Sequence, residues 1–149
     1  MDDGVRNILL VLHIFAAILI LGALIFMDMI VPGLVRGGRE NLPALRKLES
    51  LGRVFGPSSG IVFLLGVALV LRNKVYDFSD VWISAAMGLF VVAAVIGSVP
   101  MGRTMSTAIT KIDEGHPADG EASRLGMLGA INILIMLTIV YLMVAKPGM

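Results

Sequence analysis

Four long stretches of this chain exclude charge. Ile8 to Val35 holds one charged residue, Asp28, while Phe55 to Leu71, Val81 to Gly102 and Leu125 to Ala145 hold none. Of the 12 basic and 11 acidic residues, 22 therefore lie in the gaps. A helix needs about 20 mainly apolar residues to cross a hydrocarbon core of about 30 Å. The first, third and fourth stretches reach that length. The second is at the short limit, where Arg53 and Arg72 can snorkel to the interfaces. Lipid offers the backbone no partners, so the spans satisfy their hydrogen bonds internally, as helices. No alternating pattern of the outer-membrane barrel kind is present. The expected fold is all-α: a four-helix membrane bundle in a single domain over 1–149, with helices at about 8–35, 55–71, 81–102 and 125–145.

Composition agrees. The 149 residues are 57% hydrophobic and only 15% charged, with a mean hydropathy of +0.91. These values exclude a disordered chain and an ordinary water-soluble domain. A net charge of +1 supplies no field for nucleic acid, so none is expected as a partner. The absence of cysteine excludes disulfides, thiolate metal sites and cysteine nucleophiles. No phosphate loop, metalloprotease helix motif, serine elbow or nucleotide fingerprint is present.

The first stretch reads as a retained anchor. Its flank is Asp2, Asp3 and Arg6 rather than a basic run, and its apolar span is about twice a signal-peptide core. Basic residues then set the orientation. Arg36, Arg39, Arg46, Lys47 and Arg53 lie in the first loop, and Arg103, Lys111 and Arg124 in the third. Arg6, Arg72, Lys74 and Lys146 lie on the other side. This imbalance predicts cytoplasmic first and third loops in the cell (inner) membrane, with both termini outside the cytoplasm.

The loops carry patterns of their own. Asn41-Leu42-Pro43 marks a helix start. Leu42, Leu45, Leu48 and Leu51 then recur among charges, as in a short amphipathic helix lying in the interface. Met101, Met105, Ile109 and Ile112 continue one apolar stripe beyond the third span until Gly115 and Pro117 stop it.

Helices associate in lipid by close packing of small residues. Gly52, Gly56 and Gly60 are spaced by four, as are Ser84 and Gly88, Ala93 and Gly97, and Gly126 and Ala130. Such grooves serve packing within the bundle, or else dimerisation or a cofactor. Pro57 and Pro100 are expected to kink or end helices.

Three polar residues stand inside the spans. His13 is about two turns into the first helix, beside Ala16 and Ala17. Imidazole is a common haem ligand, and equally a hydrogen-bonding partner for a neighbouring helix. His116, in a loop, is the other histidine, so one chain cannot supply two membrane histidines to haem. Asp28 follows His13 by about 22 Å along the axis and about 60° around it. A membrane carboxylate is normally paired or functional; Arg36, Arg53 and Arg103 are the candidate partners, and proton transfer is the other reading. Asn132, early in the fourth helix, suits an interhelical hydrogen bond. The ten methionines form no dense cluster, so core filling is favoured over copper binding.

Leu12-His13, Gly22, Pro32 and Arg36 in the first helix resemble the opening helix of the HemJ-type bacterial membrane protoporphyrinogen oxidases. They are also similar to two related groups: the copper-resistance D-like membrane proteins, and an uncharacterised integral membrane family of four helices. Pro57, Gly66, Trp82 and Lys146-Pro147 extend the resemblance over most of the chain. For the oxidases it implies haem b held by His13 and a functional lysine shortly after the tryptophan. Trp82-Ile83-Ser84-Ala85-Ala86 lacks that lysine, and the Met143-Val144-Ala145-Lys146-Pro147 ending matches the uncharacterised relatives more closely. The expected function is a non-catalytic membrane subunit or scaffold. It would pack against a membrane partner or itself, as a homodimer or in a larger complex. The alternative is a haem- or porphyrin-associated redox protein with His13 as axial ligand.

Overall fold

A computed structural model describes residues 3–72 and 76–147. Asp2 and Lys74, and the side chain of Asp3, used above for flank and orientation, lie outside the described residues. The chain forms four long helices, and there are no strands among the described residues. The first helix comprises α1 (Asp3–Ala16), a π turn (Ala17–Leu21) and α2 (Gly22–Arg36). A 3-10 turn (Gly38–Asn41) leads into α3 (Leu42–Arg72), the second helix. The third comprises α4 (Val81–Ile96), a π turn (Gly97–Met101) and α5 (Gly102–Asp113). The fourth is α6 (Asp119–Ala145). All four are long and apolar enough to cross a membrane. Their outward faces are apolar: Ile8, Val11, Phe15, Ile18, Phe26, Met29, Leu64, Leu134 and Val144 are all exposed. In water that arrangement would forfeit the hydrophobic effect, whereas in lipid it costs nothing.

The helices outrun the charge-free stretches. The segment expected as a separate interfacial helix is the first part of α3, which runs without a break from Leu42 through Pro57 to Arg72. Leu45 is 0% exposed, and with Leu42 it packs against Val31 and Val35 of α2 and Met105, Ala108, Ile109 and Ile112 of α5. Ala118, Ala122 and Leu125 close this cluster. The tightest core thus lies at the end of the bundle that carries the first and third loops. The stripe of Met105, Ile109 and Ile112 beyond the third span is buried there as its spacing predicts.

Local chemistry sets the turns. Asn41 Nδ2 donates to the Leu34 carbonyl at 3.1 Å, satisfying an orphan acceptor at the end of α2. Gly115, at φ +83°, ends α5. The Gly115 N–H donates to Ile112 O and the His116 N–H to Lys111 O, which together form a Schellman closure. Pro100 lacks the N–H that would reach Ile96, and the helix widens there into a π turn. Pro57, expected to bend or end its helix, lies inside continuous α3.

Around the bundle, α2 packs on α6, α6 on α4, and α1 and α2 on α3. Contact between α3 and α4 is sparse. One join between them is Phe63 against Phe90, with ring centroids 5.4 Å apart. The bundle is therefore closed on three sides and parted on the fourth.

Candidate functional site: a cleft between the second and third helices

The parting encloses a cavity of about 900 Å³. Gly52, Gly56 and Gly60 form one wall, on α3, and Ala93, Ala94, Gly97 and Ser98 the facing wall, on the third helix. The back is made by Met27, Asp28 and Val31 of α2 and by Asn132, Met136 and Ile139 of α6. Glu49, Arg53 and Arg103 stand toward the loop end. This size falls among small-molecule pockets, which combine apolar walls with a few polar groups.

The glycines divide into two groups by what faces them. A Cβ at Gly56, Gly60, Gly88 or Gly97 would meet no atom within 4 Å, and one at Gly52 would meet only the Met27 methyl at 3.4 Å. Of the expected grooves, the positions at Gly56, Gly60, Gly88 and Gly97 are thus unfilled by this chain's own helices, whereas Gly126 faces Pro32 at 3.8 Å; Gly52, Gly56, Gly60 and Gly97 border the cleft. Close packing falls elsewhere. A Cβ at Gly129 would lie 3.0 Å from the Asp28 carbonyl oxygen and 3.3 Å from Asp28 Cβ. One at Gly66 would lie 3.2 Å from His13 Cε1. Spacing reveals a small-residue face but not whether a helix covers it; Gly129 carried one readable signal, its place three residues before Asn132.

Gly129 brings α2 and α6 close enough for Asn132 Nδ2 to donate to Asp28 Oδ2 at 2.8 Å. The carboxylate therefore finds an amide, not the arginine expected. Arg53 pairs instead with Glu49 at 3.1 Å, and neither Arg36 nor Arg103 reaches an acid among the described residues. Asn132 is 3% exposed, and its Oδ1 is buried without a partner. Asp28 and Asn132 together make one polar patch on an otherwise apolar back wall.

His13 lies off the cleft. It is 9% exposed, held between the first and second helices against Gly66 and the Val62 backbone, and its Nδ1 is buried without a partner. The imidazole and the large cavity are thus in different parts of the bundle, and sequence alone did not separate them.

The rim opposite the loops has its own fastening. Lys146 Nζ donates to Tyr76 Oη at 2.5 Å and stands 4.8 Å from the Tyr76 ring centroid and 6.0 Å from that of Trp82. The two rings meet edge-on at 5.4 Å. Lys146 caps α6 at φ +42°, a conformation usually left to glycine. In the adjoining turn the Ser79 backbone N–H donates to Asp77 and holds that carboxyl below its usual range.

The family described as "Predicted integral membrane protein (DUF2269)" matches residues 7–147, and the chain belongs to that family. No curated protein and no solved structure matches the chain.

Proposed function

We propose that this member of the DUF2269 family is a non-catalytic membrane subunit or scaffold that receives an apolar occupant in the cleft between its second and third helices. One observation carries the reading. The small-residue faces of Gly56, Gly60 and Gly97, which would let a neighbour approach closely, have nothing against them. An occupant entering from the membrane plane would gain dispersion contacts along both walls, and the two helices would no longer stand apart unsupported. The test is purification from native membranes in mild detergent, beside Gly60→Trp, which fills the cleft. The reading expects a partner chain, a second copy or a retained apolar molecule with the unaltered protein, reduced in the variant. Recovery of a bare monomer contradicts it.

A second reading, haem b at His13 in the manner of the HemJ-type oxidases, has one observation in its favour: the buried Nδ1 of His13 has no partner. Against it, the imidazole packs on Gly66 instead of lining the cavity. Were haem bound, His13 would hold the iron, which would supply one-electron chemistry. An absorption spectrum decides. A Soret band lost in His13→Ala supports haem, and a preparation still colourless after added haemin contradicts it.

A further inference from the structure

The cleft and its rim together specify a ligand class. Next to the apolar cavity, at the loop end, is a second pocket of about 550 Å³ lined by Arg103, Thr104, Thr107, Glu121 and Arg124. Arg103 borders both cavities. The one acid of the rim pocket, Glu121, is already held by Lys111 at 2.6 Å. Neither Arg103 nor Arg124 has an ion-pair partner among the described residues. The rim therefore presents two uncommitted guanidiniums, and two donor forks suit a phosphoryl group. Deeper in the cavity the lining offers no cation: its membrane-embedded ionisable group is Asp28, hydrogen-bonded to the amide of Asn132. An anionic head thus finds its cations at the rim and none in the depth, while the walls of Gly56, Gly60 and Gly97 offer a smooth track to a hydrocarbon chain.

We propose that the cleft binds an anionic phospholipid, with its phosphoryl head at Arg103 and Arg124 and an acyl chain between the second and third helices. The proposal rests on the reading that the cleft receives an occupant, and it names that occupant. A lipid head and free phosphate share the chemistry that the arginines recognise, so the experiment separates them.

The protein is delipidated in mild detergent, and lipid retention is measured by native mass spectrometry. Dioleoyl phosphatidylglycerol is compared with dioleoyl phosphatidylcholine, and inorganic phosphate is followed by thermal shift. The expected preference for the anionic lipid is about fivefold for each arginine, about twenty-five-fold for the two. R103Q/R124Q abolishes the preference and R103K/R124K keeps most of it, with helicity by circular dichroism confirming that both fold. Gly60→Trp lowers retention of both lipids. Equal retention of the two lipids by the unaltered protein overturns the proposal, and so does a preference that survives R103Q/R124Q. Stabilisation by phosphate equal to that by lipid overturns it in favour of a free-anion site. If Gly60→Trp still blocks retention while no head-group preference exists, only the ligand class falls. If Gly60→Trp changes nothing, the cleft reading falls with it.

Discussion

Asn132 Nδ2 donates to Asp28 Oδ2 at 2.8 Å across 104 residues of sequence, joining the first and fourth helices at the back of the cleft. Each residue gives the other its reason to be in a membrane. An unpartnered carboxylate or amide in hydrocarbon is costly. The bond forms because Gly129, one turn from Asn132, lets the α6 backbone come against Asp28. Removing the amide with Asn132→Leu should destabilise the protein by about 0.6–2 kcal/mol, read as the midpoint of SDS unfolding in mixed micelles. The double variant Asp28→Leu/Asn132→Leu should recover part of that loss, because no polar group is then left unpaired. A double variant whose loss equals the sum of the single ones would show that the pair does not act as a unit.

The glycines supply an internal comparison. Gly129→Ala places a methyl group 3.0 Å from a backbone oxygen, so the two helices must move apart. The expected loss is about 1–3 kcal/mol, as for other overpacked sites. Gly56→Ala, Gly60→Ala and Gly97→Ala face open space. They should be neutral or stabilising by about 0.5–1 kcal/mol through the better helix propensity of alanine. Thermal unfolding of the four variants in one detergent checks the ranking, and equal losses at all four would contradict the geometry.

Gly66→Ala tests the seat of His13. The added methyl lies 3.2 Å from Cε1, so the imidazole must shift by a few tenths of an ångström. The His13 ring resonances in an NMR spectrum of labelled protein should move, and Gly66→Ala in a His13→Ala background should cost less than in the unaltered chain. Additive costs would place His13 elsewhere.

At the opposite rim, Trp82 is the single tryptophan, so its fluorescence reports the cluster of Lys146, Tyr76 and Trp82 without ambiguity. Lys146→Met removes the cation 6.0 Å from the indole centroid and the hydrogen bond to Tyr76. A shifted emission maximum and a loss of about 0.5–1 kcal/mol are expected. The exposed Arg46–Asp113 pair, 2.8 Å apart at the loop end, provides the contrast. Arg46→Ala should cost under about 0.5 kcal/mol.

These contrasts also mark what the sequence reveals. Charge exclusion reports where lipid lies, so the four spans were legible from Ile8 to Ala145. It is silent on how far each helix continues into water, and α3 accordingly begins at Leu42, well before Phe55. The polar character of Asp28 and Asn132 was visible singly. Their union was not, because it depends on the close approach at Gly129, and single-helix periodicity says nothing about what a neighbouring helix presents. The same gap explains the glycine stripe of Gly52, Gly56 and Gly60. Its spacing identifies a face that can accept a close neighbour, while only the tertiary arrangement shows that α4 does not fill the space.

The second and third helices stand apart over Gly60 and Gly97. The chain has no cysteine, so a nitroxide can be attached cleanly at Gly60→Cys or Gly97→Cys. Electron paramagnetic resonance of the delipidated protein should show mobile labels at both positions, immobilised when phosphatidylglycerol is added. Labels already immobile in the bare monomer would mean that the helices meet there, and that no cleft exists to receive anything.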